Sequence, residues 1–122
     1  MKKLILIVED EEALLGILIE EFQREGFTVL FENNGRDGLR TAIKKHPDLI
    51  LLDIIMPIMD GLTMLSKLRK DVWGNNAKVI LLTNLSDPGK VTHAILESVN
   101  GFIVKSDWKI KDIIAEVKNK LS

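Results

Sequence analysis

A chain of 122 residues is long enough for one domain with its own core, and 46% apolar with 29% charged residues is an ordinary globular composition that excludes a disordered chain. A net charge of -1 gives no field to draw nucleic acid or an anionic membrane, and the absence of cysteine excludes disulfides, thiolate chemistry and Cys-based zinc sites. No segment approaches the roughly 18 unbroken apolar residues of a membrane span.

Met1-Lys2-Lys3 ahead of an apolar run faintly resembles a secretory leader, but the run is short and ends in Glu9-Asp10-Glu11-Glu12. A cytosolic, cytoplasmic protein is expected. Leu4 to Val8 reads as a buried first strand. Leu14, Ile17, Leu18 and Phe22 then recur at helical spacing, and that helix stops at Gly26. Phe27 to Phe31 is a second, more exposed strand. Asn34-Gly35 opens a second helix with Leu39, Ala42 and Ile43 inward, ending before Pro47.

The third strand is the most informative stretch. Leu49-Ile50-Leu51-Leu52 is continuously apolar, as for a strand buried on both faces, and it ends in one carboxylate, Asp53. Pro57 and Asp60-Gly61 then force the chain out of the sheet. Taken alone, Asp53 is either a strand-end cap facing water or a nucleophile or metal ligand. Asp60 can cap a third helix with Leu62, Leu65 and Leu68 on one face. Asp71 to Asn76 is a polar turn, with Trp73 covering a helix end. Val79 to Thr83 is a fourth buried strand. Asp87-Pro88 marks the start of a fourth helix with Val91, Ala94 and Ile95 inward, and His93 on it reads as a solvated residue. Gly101 to Lys105 is a short fifth strand. Ile110, Ile113, Ile114, Val117 and Leu121 mark a last amphipathic helix.

Strand and helix alternate five times, which calls for a parallel sheet with helices on both faces, wound right-handed. The common solution for five strands is the flavodoxin-like order 2-1-3-4-5, with the order reversing between the first and third strands. Their carboxyl ends carry Asp10 and Asp53. The fourth and fifth carry Thr83 and Lys105. Four polar side chains thus meet on the rim where such sheets bind ligands, which favours the functional reading of Asp53.

These residues resemble the receiver domain of two-component response regulators over the whole chain, 1–122. The resemblance rests on Glu9-Asp10-Glu11, on Asp53 within Asp53-Ile54-Ile55-Met56-Pro57-Ile58-Met59-Asp60-Gly61, on Thr83 and on Lys105. It implies a flavodoxin-like (βα)5 fold and a signalling role, with Asp53 accepting a phosphoryl group from a sensor histidine kinase or phosphotransfer protein. It implies Mg2+ held by Asp10, Asp53 and the backbone carbonyl of Ile55, with Glu9 acting through water. Lys105 would pair with Asp53 and then with a phosphoryl oxygen. Thr83 would report phosphorylation, with Phe102 as the switch aromatic. The output surface would be the fourth helix, fifth strand and fifth helix, which could also form a dimer. A downstream effector, or an effector domain outside these residues, would read it.

Three positions depart from the family's pattern. Ser106 stands where proline usually follows the lysine, so Lys105-Ser106 is either trans or strained. Asn84 is larger than usual. Ile55 cannot position a hydrolytic water, which predicts slow loss of the phosphoryl group. Two other classes compete. One is a receiver-like interaction module that is not phosphorylated; the intact set of Asp10, Asp53, Thr83 and Lys105 argues against it. The other is an Asp-nucleophile hydrolase, which would need a carboxylate where Ile55 stands. No turnover enzyme is expected, only slow autodephosphorylation.

Overall fold

The computed structural model describes residues 2–84 and 91–122, without the side chain of His93. The elements run β1 (Leu4–Val8), α1 (Glu12–Arg24), β2 (Thr28–Glu32), α2 (Gly35–Lys45), β3 (Leu49–Asp53), α3 (Gly61–Arg69), β4 (Val79–Thr83), α4 (His93–Glu97), β5 (Gly101–Val104) and α5 (Ile110–Leu121). Short 3-10 turns cover Gly74–Asn76 and Lys105–Asp107. The five described strands pair in parallel, in the order β2-β1-β3-β4-β5. The flavodoxin-like expectation is met.

Alternation along each strand sorts the core into two layers. Ile5, Ile7, Leu49, Leu51, Ile80 and Leu82 face α1 and α5, meeting Leu18, Phe22, Ile113 and Val117. Leu6, Val8, Ile50, Leu52, Val79 and Leu81 face the other way, onto Ala42, Met64, Leu65 and Leu68 of α2 and α3. Every residue of β3 and β4 is buried, the mark of central strands covered on both faces. β2 is an edge strand and is partly exposed.

Helix caps follow the sequence. The Asn34 side chain accepts from the Asp37 amide, and Asp60 accepts from the Thr63 amide. Three predicted inward residues do not pack inward: Ile17 is 47% exposed, Ile43 is 37% exposed, and Ala94 is exposed. Each sits at the margin of its apolar stripe. Leu15, which the spacing argument passed over, is buried in α1 instead. β2 runs one residue later than predicted, and Lys105 opens a 3-10 turn rather than closing β5. Trp73 stacks on His46 with ring centroids 4.5 Å apart. The predicted cap at Asp87-Pro88 lies outside the described residues, as does the side chain of His93; α4 as described is capped by Thr92, which accepts from the Ile95 amide.

One partly buried cation organises the far end of the sheet. Arg69, the last residue of α3, donates to the carbonyls of Ser98 at 2.6 Å, Gly74 at 2.8 Å and Ala77 at 2.8 Å. Burial lowers its pKa. The guanidinium fork thereby ties the end of α3 to the turn before β4 and to the end of α4.

Candidate functional site

The four polar residues predicted on one rim do meet there. A cleft of about 390 Å3 is lined by Asp10, Glu11, Asp53, Ile55, Thr83, Asn84 and Lys105. Two backbone features place Asp53 in it. β3 carries the carboxylate to its carboxyl end, and Gly61 lets α3 start against the same backbone. A Cβ at Gly61 would lie 1.9 Å from the Asp53 carbonyl oxygen, and the Gly61 amide donates to the Ile54 carbonyl at 2.7 Å.

Asp53 is 5% exposed and Glu9 is fully buried, whereas Asp10 is exposed. Glu9 is buried because the ladder continues past β1: its amide donates to the Glu32 carbonyl at 3.0 Å. One oxygen of Asp53, Oδ1, accepts from the Ile54 amide at 2.8 Å. The other, Oδ2, lies 3.4 Å from Lys105 Nζ. Lys105 approaches Glu9 more closely, with Nζ 2.6 Å from Oε1, and stands 3.6 Å from Glu11. No cis peptide occurs among the described residues, so Lys105-Ser106 is trans, and the lysine still reaches the cleft.

Burial pushes the Asp53 carboxyl up to about 7, from an ordinary 3.8; the Glu9 carboxylate beside it adds to the rise, and Lys105 and the Ile54 amide offset part of it. Burial pulls the Lys105 ammonium down, but the Glu9 and Asp53 carboxylates outweigh it and hold the pKa above its ordinary value. The site therefore holds more negative charge than one lysine neutralises.

A cation fits that imbalance. Carboxylate oxygens of Glu9, Asp10 and Asp53 all lie within 4.8 Å of one another, so the three could hold a metal ion. Glu9 Oε1 is fully buried and lies against the Lys105 ammonium at 2.6 Å, so an ion's hydration water there would share it with the lysine. An all-oxygen donor set suits a hard divalent cation.

Thr83 is 2% exposed at the end of β4. Phe102, on β5, is partly buried against the core layer facing α3. Asn84 is exposed at the cleft. Glu11 also belongs to the cleft. Its oxygen sits within ion-pair distance of Lys105, although the residue was legible only as part of an acidic run.

The profile of the response regulator receiver domain matches residues 5–118. The chain belongs to that family. Receiver domains are signalling domains that work with histidine kinases and downstream effectors. The transcriptional regulatory protein YkoG of Bacillus subtilis is 37% identical over 118 residues, covering 96% of this chain and 50% of that protein. The chain spans about half the length of the curated relatives it matches. The response regulator protein TrrA of Thermotoga maritima, solved in complex with Mg2+-BeF, is 32% identical, with a TM-score of 0.83 over 99% of this chain and 100% of that one. A CheY-like receiver domain protein of Methanospirillum hungatei is 26% identical, with a TM-score of 0.88 over 99% of this chain and 94% of that one. No described helix is long and apolar enough to cross a membrane.

Proposed function

We propose that this receiver domain, taken as the whole of 1–122, is a phosphorylation-controlled switch that accepts a phosphoryl group on Asp53. A phosphohistidine of a sensor kinase or phosphotransfer protein is the donor. The observation that carries the reading is the buried Asp53 carboxylate meeting Glu9, Asp10, Lys105 and Thr83 in one cleft.

A carboxylate oxygen of Asp53 attacks the phosphorus, and the phosphorus–nitrogen bond to the donor imidazole breaks. The bonding pair returns to the ring nitrogen, which takes a proton. Such a loose transfer asks little activation of the nucleophile and much of charge neutralisation. Mg2+, held by Asp10, Asp53 and the Ile55 carbonyl with Glu9 acting through water, would supply that neutralisation when bound. Lys105 moves its charge from the carboxylates to a phosphoryl oxygen. Its 3.4 Å distance from Asp53 makes that a short step.

Thr83 hydrogen-bonds the new phosphoryl group through its hydroxyl. Phe102 moves with it and alters the surface of α4, β5 and α5, where an effector or a second copy docks. Driving such a switch from 1:99 to 99:1 takes about 5.5 kcal/mol of differential interaction. A dianionic group with a lysine and a hydroxyl beside it can supply this. The cytoplasm, where such kinases phosphorylate their partners, is the proposed location.

Intact mass after incubation with Mg2+ and phosphoramidate tests the reading. A single phosphoryl adduct that needs Mg2+ and is lost in Asp53→Asn is expected. No adduct would favour an unphosphorylated interaction module. Continuous phosphate release would favour a hydrolase.

A further inference from the structure

We propose that Glu11 is a positioning residue for Lys105: its carboxylate restrains the lysine from the open side of the cleft and slows the handover of the ammonium to a phosphoryl oxygen. The inference rests on Asp53 being the acceptor and assigns the restraint to a residue outside the three-acid cluster. Lys105 is held by three carboxylates at once. Its Nζ lies 2.6 Å from Glu9 Oε1, 3.4 Å from Asp53 Oδ2 and 3.6 Å from Glu11 Oε2. Glu9 and Asp53 are buried partners. The Glu11 side chain is 56% exposed and lines the same cleft, so it meets the ammonium from the solvent side. Glu11 also acts on the lysine by a second route. Its backbone amide donates to Glu9 Oε2 at 3.0 Å and so orients the carboxylate whose other oxygen holds Nζ. A side-chain substitution leaves that amide in place and isolates the contact made by the Glu11 carboxylate.

Glu11 differs from the other two partners in what it shares. Glu9 and Asp53 belong, with Asp10, to the acids whose oxygens lie within 4.8 Å of one another, so their charge is divided between Lys105 and a divalent ion when one is bound. Glu11 is not one of that cluster, and its charge stays with the lysine. To reach a phosphoryl oxygen, Lys105 must leave its carboxylates. In the metal-loaded site Glu11 is therefore the carboxylate that competes most directly with the phosphoryl group for the ammonium. The contact is open to water on the Glu11 side, so it is weak and falls with salt. An exposed pair of this kind changes a rate or binding constant by about two- to fivefold.

The test compares initial rates of labelling by phosphoramidate, at saturating Mg2+, for the full chain and its Glu11→Gln and Glu11→Asp variants. Glutamine removes the charge. Aspartate keeps the charge at the cleft mouth but withdraws it from Nζ by one methylene. Both variants should label about two- to fivefold faster than the parent at low salt. Both gains should shrink below about twofold near ~1 M salt, where the screening length is about 3 Å, a dependence that a merely structural role would not produce. Beryllofluoride, which takes the phosphoryl position without transfer, should bind both variants more tightly by the same factor. Slower or unchanged labelling of Glu11→Gln, unchanged beryllofluoride affinity, or a gain that persists at high salt would each overturn the proposal. So would Glu11→Asp tracking the parent while Glu11→Gln speeds up, since the charge would then repel the donor and not hold the lysine. A parent that phosphoramidate fails to label would bring down the acceptor role of Asp53 itself, and this proposal with it.

Discussion

Asp53 holds its proton to about pH 7 in the folded, metal-free chain, while an unfolded carboxyl releases it near 3.8. The folded state therefore binds more protons between those values, and stability falls as pH rises through that window. Asp53→Asn should remove this slope, melting above the parent at pH 7 and alongside it at pH 4; parallel slopes in a chelator-treated thermal series would contradict the assignment. Ile58→Gly relieves backbone strain worth about 1–2 kcal/mol, read as a raised denaturant midpoint at constant slope. Ile55 is apolar at the cleft mouth and offers no group to orient water. Ile55→Asn should release phosphate faster than the parent, about tenfold for 1.4 kcal/mol of barrier. A lifetime unchanged by that substitution would show that water access is set elsewhere.

At the scale of elements, the third strand was the most legible from sequence, because an apolar run that ends in a single carboxylate has one reading once the fold is parallel. The rim residues Asp10, Asp53, Thr83 and Lys105 followed from strand order alone. What escaped were features made by close approach rather than pattern. Glycines 35 and 61 serve neighbouring backbone oxygens of the β3–α3 loop, and no periodicity reveals that. The left-handed Ile58 contradicts its residue type and could not be inferred from it. Glu9 is the carboxylate nearest Lys105, because β1 continues to pair past Val8, a contact that the acidic run does not reveal. Ile17 and Ile43 show the limit of spacing arguments, which locate an apolar stripe but not its edge. Arg69 was invisible for the same reason as the glycines: its partners are carbonyls. Arg69→Ala removes the guanidinium from the carbonyls of Ser98, Gly74 and Ala77, of which Gly74 keeps the Ala77 amide at 3.3 Å, and should cost about 2–4 kcal/mol in chemical denaturation. Arg69→Lys should recover little of it, since an ammonium cannot fork among three acceptors.

Over the whole molecule, parallel winding does what no single element can. It brings two acids from the ends of β1 and β3, a hydroxyl from β4 and a lysine from β5 to one cleft, and buries a charge excess there. The fold thus carries an electrostatic cost that a divalent cation, and then a phosphoryl group held by that cation and Lys105, would convert into a switch. Calorimetric titration of the purified chain with Mg2+ at pH 7 measures this most directly. A single site that disappears in Asp10→Asn and in Asp53→Asn, with protons released on binding to the parent, is the predicted result. Equal Mg2+ binding by parent and both variants, or none by any of them, would contradict it.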